Sequence, residues 1–308
     1  MNSTPASEFL LLRLSESPAM RIPLFLLFLV IYLITVFGNL MILSIIMHNP
    51  MLHYPMYNLL WSFSLMDLSF SSNTVPGMLK AILFQNNRIS FSSCMTQVFF
   101  FHAFGNGENL LLSAMAYDRY VAICHPLRYP VLMGGRTCLT LCSGCCIGAS
   151  LHALLHEVMT SFLHFHRPAY LHHYFCDIPP LLEISTSDTS INQLLIYTEG
   201  SFVALIPTLL VLISYMRIGL CILQIHSYTG RQRAFSTCAS HLTVFLLFSA
   251  SAVSMYFNPS SVSSLYRGRA VTLMYTAITP MFNPYIYCLR NSDVKAALQK
   301  VFAKKELW

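Results

Sequence analysis

Residues 23–47 read PLFLLFLVIYLITVFGNLMILSIIM, twenty-five positions without an Asp, Glu, Lys or Arg. A bilayer core roughly 30 Å thick is crossed by about 20 residues of α-helix, so this stretch is long enough to span a membrane. Six further runs of similar character follow at 57–79, 91–117, 138–156, 194–216, 235–257 and 270–289. The charged side chains inside the seven runs are Asp67, Glu108 and Glu199. Composition agrees: with 55% hydrophobic and 10% charged residues in 308, the polar surface is too small to solvate a globule of this length. Backbone groups in lipid must be satisfied internally, which leaves helices or a closed barrel, and the period-two alternation of a barrel is missing. The expected fold is an all-α membrane protein, a seven-transmembrane helix bundle forming one domain over residues 1–308.

An odd number of spans puts the two ends of the chain on opposite sides of the membrane. The tail carries Lys295, Lys300, Lys304 and Lys305, and residues 2–4 form the glycosylation sequon Asn2-Ser3-Thr4. The positive-inside rule assigns the lysine-rich segment 290–308 to the cytoplasm, and residues 1–22 to the extracellular side where Asn2 is a glycan acceptor. Arg128, Arg136, Arg217, Arg231 and Arg233 fall in loops that this orientation places inside. The net charge of +6 is therefore read as topology and not as a nucleic-acid footprint. Residues 1–22 lack a basic start followed by an apolar core, so the first span is expected to act as its own insertion signal. Of ten cysteines, Cys94 and Cys176 sit on the oxidising side, and the economical expectation is one disulfide, the rest staying reduced. Beyond the last span, Ser292 is placed to cap a short amphipathic helix with Val294, Ala297, Leu298, Val301 and Phe302 on one face.

Ionisable groups inside a bilayer are costly and mark function by default. Asp67 and Glu108 lie near mid-span, and with Asn39, Ser113 and Asn283 they form a candidate site for a small cation such as Na⁺. The structural alternative is a protonated carboxyl that only ties helices together. Met115-Ala116-Tyr117-Asp118-Arg119-Tyr120 ends the third span with an acid beside a guanidinium, a restraint that a partner offering better contacts can release. Pro280-Met281-Phe282-Asn283-Pro284-Tyr285-Ile286-Tyr287 puts prolines inside the last span, where each removes a helical hydrogen bond and permits a kink. Glu199 has two open readings, contact with a polar ligand or a position near the headgroups. His173-Tyr174-Phe175-Cys176-Asp177, with His164, His166 and His172 nearby, is a thinkable copper or zinc ligand set; a solvated loop is the alternative, and a disulfide-bonded Cys176 would be a poor ligand.

These residues carry a resemblance. Gly38-Asn39, Pro55-Met56-Tyr57, the string from Met115 to Cys124 continuing through His125-Pro126-Leu127-Arg128-Tyr129, Ser214-Tyr215, the string from Ala234 to Leu242, and Pro280 to Asn291 resemble rhodopsin-type G-protein-coupled receptors, specifically odorant (olfactory) receptors, over essentially the full length. The resemblance implies small, mostly apolar odorant ligands bound in the outer half of the bundle. It also implies a stimulatory (olfactory) heterotrimeric G protein as partner, a rise in cyclic AMP, and residence in the plasma membrane. It implies a Cys94–Cys176 bridge and a switch built from Asp118, Arg119, Tyr120, Tyr215, Asn283, Pro284 and Tyr287. Helix phase adds a pocket wall of Phe101, His102, Gly105, Asn106, Ile178, Val203, Ala252, Val253, Tyr256 and Thr276. The chain departs from the family at His166 and Thr186, where two further cysteines are usual, implying a looser lid. It departs again at Phe248-Ser249-Ala250, where Phe-Tyr-Gly is usual, implying a reshaped pocket floor. No nucleophile–base set converges in a span, so an enzyme is not expected. No cofactor is called for beyond an allosteric Na⁺. A transporter or channel using the acids as an ion path stays open as the second class, and a receptor scaffold that signals poorly as a third.

Overall fold

The computed structural model describes residues 7–12, 14, 17–166, 168–224, 226–256, 271–290 and 294–299. The long helices are α1 (Pro18–His48), α2 (Pro55–Phe84), α3 (Phe91–Cys124), α4 (Gly135–Ser161), α5 (Ser190–Leu223) and α6 (Tyr228–Tyr256). A π-helical turn, Met274–Ile278, leads into α7 (Thr279–Arg290), and a second, Ile196–Gly200, interrupts α5. The first five helices each contain one apolar run, α6 carries the sixth as far as Tyr256, and the described part of the seventh is shared between the Met274–Ile278 turn, the residues before it and α7; together they form the seven-transmembrane bundle.

Local chemistry sets the ends. Pro18 and Pro55 occupy first-turn positions, where the missing N–H is no loss. Ser90 accepts from the Ser93 N–H at 3.2 Å to start α3, and Gln85, at φ 54°, closes α2 in the left-handed conformation. Along α1 the side chains of Leu26, Leu27, Val30, Leu33 and Phe37 are exposed, as are Phe202, Leu205, Ile206 and Leu209 along α5. In a membrane protein this outward apolar surface meets lipid. Helices α1, α4 and α5 are apolar enough along their length to read as spans by hydropathy alone. By contrast, α2 and α3 carry buried Ser64, Asp67, Thr74, Glu108 and Ser113 on their inner faces.

The centre of the bundle is α3, packed against α2, α4 and α5. Close approach of α1 to α7 depends on Gly38: a Cβ there would lie 2.8 Å from Pro284 Cγ and 3.0 Å from Pro284 Cβ, closer than carbon atoms pack. Glycine thus brings the next residue, Asn39, within reach of α2 and fixes the polar centre described below.

One end of the bundle is covered by a three-stranded sheet ordered β2-β1-β3 that the runs of hydropathy do not announce. Strand β1 (Glu8–Leu11) pairs antiparallel with β2 (Arg88–Ser90) and parallel with β3 (Ala169–Leu171). Phe9 is fully buried, edge-on to Phe165 at 5.0 Å and near Phe91 at 6.0 Å. The Cys94–Cys176 disulfide ties the same loop to the start of α3. Where the resemblance implies a second loop bridge, the chain closes the loop with hydrogen bonds: the Thr186 N–H and hydroxyl donate to the His164 carbonyl at 2.8 and 3.1 Å. The Ser187 hydroxyl oxygen accepts from the His164 N–H at 2.9 Å.

A second pair of cysteines meets at the opposite end of the bundle. Cys124, at the end of α3, lies against Cys221 on α5, with Cα atoms 5.9 Å apart. The compartment argument knew only which side each thiol occupies and not that two helix ends meet there. At that same end residues 294–299 are helical, with Val294 and Ala297 buried and Lys295 exposed, as the amphipathic pattern requires. Ser292, Val301, Phe302 and Lys304 lie outside the described residues, as does Asn2.

Candidate functional site: a cavity, a polar centre and a helix-end switch

Toward the sheet end, α3, α4, α5 and α6 enclose a cavity of about 160 Å³, comparable to the roughly 150 Å³ apolar cavities that accept benzene. Eight expected wall residues border it: Phe101, His102, Gly105 and Asn106 from α3, Ile178 from the loop, Val203 from α5, and Ala252 and Val253 from α6. The α3 set follows from helical geometry, since positions i, i+1, i+4 and i+5 share a face.

Two expected wall residues need separate treatment. Thr276 is no wall residue: its hydroxyl donates to the Thr272 carbonyl at 2.8 Å and lies 3.2 Å from the Tyr174 hydroxyl, under the loop. The π-helical turn shifts the angular phase here, so the adjacent Tyr275 borders the cavity instead. Tyr256 ends α6, and its side chain lies outside the described residues.

The α3 pattern did not predict the contributions of α4 and α5. His152 and His156 on α4 and Asn109 on α3 border the cavity, together with Tyr197, Ser201 and Ala204 on α5. Glu199 reaches both histidines, 3.0 Å from His152 Nε2 and 2.9 Å from His156 Nε2. The i, i+4 spacing of the two histidines was the available sequence signal. The floor includes Phe248, edge-on to Tyr275 at 5.5 Å.

The loop metal set of His173, Cys176 and Asp177 does not assemble. The Cys176 sulfur is bonded to Cys94, and His173 Nε2 lies 3.3 Å from the Thr272 hydroxyl. Asp177 Oδ1 accepts from the Ile178 N–H at 2.8 Å and sits 3.2 Å from His102 Nε2. Helix capping and disulfide formation thus use the donors a metal would need.

At mid-bundle Asp67 is fully buried and accepts two hydrogen bonds, from Asn39 Nδ2 at 2.6 Å and from Asn283 Nδ2 at 2.7 Å. Helices α1, α2 and α7 therefore meet at one carboxylate. Glu108 is buried within electrostatic reach of it. Among the described residues, Glu108 Oε1 and Asn283 Oδ1 are buried without a hydrogen-bond partner. The Ser113 hydroxyl donates to the Asn109 carbonyl at 3.2 Å. Oxygen acceptors lacking donors are the donor set a hard monovalent cation prefers, so these residues fit Na⁺ chemically.

At the end opposite the sheet, Asp118 and Arg119 do not form the expected ion pair among the described residues. Asp118 Oδ1 instead accepts from the Tyr129 hydroxyl at 2.8 Å. Burial, with the Asp118 carboxylate alongside, pushes the Tyr129 pKa up, so the hydroxyl keeps its proton and stays a donor. Among the described residues Arg119 Nε is buried without a hydrogen-bond partner, and the guanidinium lies within electrostatic reach of Asp118, Tyr215, His241 and Tyr287. The Tyr215 hydroxyl lies 2.8 Å from His241 Nδ1, linking α5 to α6. Tyr287 is buried edge-on to Phe63 at 5.9 Å, its hydroxyl without a partner among the described residues. Tyr120 turns outward to His125 Nε2 at 3.0 Å, and Pro284 is the residue against Gly38. Of the residues expected to form a switch, Asp118, Tyr215 and Tyr287 surround Arg119, whereas Tyr120, Asn283 and Pro284 make their contacts elsewhere; His241, which lies in the string from Ala234 to Leu242, joins the Arg119 surroundings.

Comparison with known proteins identifies the family. A family model described as olfactory receptor matches residues 28–305. Olfactory receptor 1f45 of Rattus norvegicus is 46% identical over 304 residues, covering 99% of this chain and 97% of the relative. Olfactory receptor 1M1 of Mus musculus is 45% identical over 304 residues, with coverage of 99% and 97%. Olfactory receptor 1L4 of Homo sapiens is 44% identical over 299 residues, with coverage of 97% and 96%. With the family model matched over most of its length and relatives of this similarity covered almost end to end, the chain belongs to the olfactory receptor family of seven-transmembrane receptors, which are not enzymes.

Proposed function

We propose that this chain is a plasma-membrane odorant receptor. Small, mostly apolar molecules bind the cavity between α3, α4, α5 and α6. Binding promotes nucleotide exchange on a stimulatory, olfactory-type G protein and raises cyclic AMP. The observation that carries the reading is the cavity of about 160 Å³ with an apolar floor and a few convergent polar groups, the usual form of a small-molecule site. In this reading the sheet end is extracellular, which suits the sequon at Asn2 and the Cys94–Cys176 bridge, and the lysine-rich tail is cytoplasmic.

Signalling in this scheme is a population shift: an odorant must bind the active arrangement more tightly than the resting one. Phe248 and Tyr275 join the cavity to the bundle interior. Asp67, with Asn39, Asn283, Ser113 and Glu108, holds α1, α2 and α7 in the resting arrangement, and Na⁺ at these oxygens reinforces it. Arg119, near Asp118 but not locked to it in a close ion pair, is available to an incoming G protein. The unmatched oxygens of Glu108 and Asn283 favour a cation site over an ion pathway, because α1 and α7 close around Asp67 through two short hydrogen bonds.

The test is a cell-surface expression assay with an odorant panel and a cyclic AMP readout. Wild type responds to at least one panel member, and Arg119→Ala at matched surface level is silent. An Arg119→Ala receptor that keeps the full response contradicts the reading.

A further inference from the structure

We propose that His152, His156 and Glu199 form a binding site for a zinc-class divalent transition-metal ion in the wall of the cavity, with one coordination position open to the cavity.

The three side chains each present one ligand atom, and these atoms lie within 4.8 Å of one another. His152 and His156 stand one helical turn apart on α4, so their rings project from one face, with centroids 4.6 Å apart. Glu199 comes from the π-helical turn of α5, an irregularity that recurs at functional sites. Both Nε2 atoms approach the same oxygen, Glu199 Oε2, at 3.0 and 2.9 Å. A tetrahedral ion with bonds of about 2.0–2.2 Å separates its ligand atoms by roughly 3.3 Å; both histidine–glutamate distances are close to that, and rotation of the imidazoles sets the distance between the two nitrogens, which already lie within 4.8 Å of each other.

Hydrogen bonding alone does not account for the arrangement. His156 Nε2 and Glu199 Oε2 are aligned as a hydrogen bond. His152 Nε2 is buried 3.0 Å from the same oxygen but, unlike His156, is not aligned on it or on any other described residue as a hydrogen bond. The His152 side chain is only 10% exposed and that of His156 5%, so both rings are held inside the bundle. An ion placed between the three groups uses the Nε2 lone pair that the carboxylate cannot. His152 also has the outer-shell partner that metal-bound imidazoles usually have: its Nδ1 lies 2.8 Å from the Asn106 side-chain amide. Rotating that amide presents its oxygen to an Nδ1–H and fixes the tautomer that frees Nε2.

Two neutral imidazoles and one carboxylate balance one of the two positive charges, leaving a Lewis-acidic centre with three protein ligands. Such a site keeps its fourth position for water or a ligand. Both histidines border the cavity, so that position faces it. Resting on the reading of the cavity as the ligand site, the ion would favour ligands carrying a nitrogen or sulfur lone pair over pure hydrocarbons.

The test is made on the purified full-length receptor in nanodiscs, with no odorant and no G protein. Its failure is therefore separable from failure of the odorant reading. Co²⁺ alone is titrated and followed by its visible d–d absorption, whose intensity reports tetrahedral coordination. Wild type is expected to bind one Co²⁺ with tetrahedral intensity, displaced by Zn²⁺. His156→Gln, which keeps a polar side chain but removes the imidazole ligand, is expected to weaken binding by at least the roughly 10- to 100-fold seen on losing an outer-shell partner. His156→Cys supplies a thiolate and is expected to keep binding with a charge-transfer band, which guards against a misfolded variant passing for a lost ligand. The proposal is overturned if wild type shows no tetrahedral band, if His156→Gln binds as wild type does, or if binding follows replacement of the loop residues His172 and His173.

Discussion

Replacing Asp67 by Asn removes the charge while keeping the shape, which isolates what the carboxylate does. In the wild type both Asp67 oxygens accept, from Asn39 at 2.6 Å and from Asn283 at 2.7 Å, with the side chain fully buried. An amide offers one accepting oxygen, so Asp67→Asn leaves one of the two asparagine donors facing another donor. An unsatisfied buried group costs about 1–3 kcal/mol, and the charge-assisted character of the surviving bond is lost as well. A cation present at ten times its dissociation constant stabilises the wild type by about 1.4 kcal/mol, and this contribution also disappears. The assay is thermal inactivation of purified receptor in NaCl against choline chloride at equal ionic strength. The wild type is expected to be stabilised by Na⁺. Asp67→Asn is expected to be less stable in both salts and indifferent to the cation. Equal stability of wild type in the two salts would refute the cation site, and an Asp67→Asn receptor as stable as wild type would refute the role of Asp67 as the joint of three helices.

Gly38→Ala places a methyl 2.8 Å from Pro284 Cγ, and because a proline ring in a helix has little room to yield, overpacking of about 1–3 kcal/mol follows; surface expression and thermal stability should both fall. Tyr129→Phe takes the 2.8 Å donor from Asp118, leaving a carboxylate beside Arg119 with its acceptor unpaired; the expected result is a changed basal cyclic AMP level with unchanged odorant potency, and a shift in potency alone would count against this reading. Cys176→Ser opens the bridge that ties the loop to α3; losses of about 2–5 kcal/mol accompany removal of native disulfides, and the variant is expected to fail quality control, visible as retention inside the cell.

How much could be read beforehand follows from which forces act locally. The seven spans are legible because a bilayer demands apolar runs of fixed length, and the α3 wall from Phe101 to Asn106 is legible because a regular helix keeps its phase. Thr276 was misplaced because the π-helical turn Met274–Ile278 shifts that phase, and nothing in the composition of Met274 to Ile278 announces it. Glu199 stayed ambiguous for the same reason, and its partners were missed because α4 reads simply as an uncharged span. Strands of three or four residues such as Arg88–Ser90 are too short to show a pattern, and their pairing with Glu8–Leu11 is a tertiary event. The Cys124–Cys221 contact joins residues 97 apart, a proximity that only helix packing creates. The Asp118–Arg119 pair was expected from adjacency, yet Tyr129 reaches the carboxylate from the following loop.

The most direct test of the account is the potency of a responding odorant on Gly105→Val, read as cyclic AMP at matched surface expression. A Cβ at Gly105 already lies 3.1 Å from the Tyr275 hydroxyl and 3.3 Å from Phe70 Cε2, so valine crowds the stretch of cavity wall that Gly105 shares with Tyr275. Overpacking of about 1–3 kcal/mol corresponds to roughly a 5- to 160-fold loss of affinity. The account predicts a loss of potency in that range with the response to direct cyclase activation intact. Unchanged potency for every responding odorant would place the ligand elsewhere and contradict it.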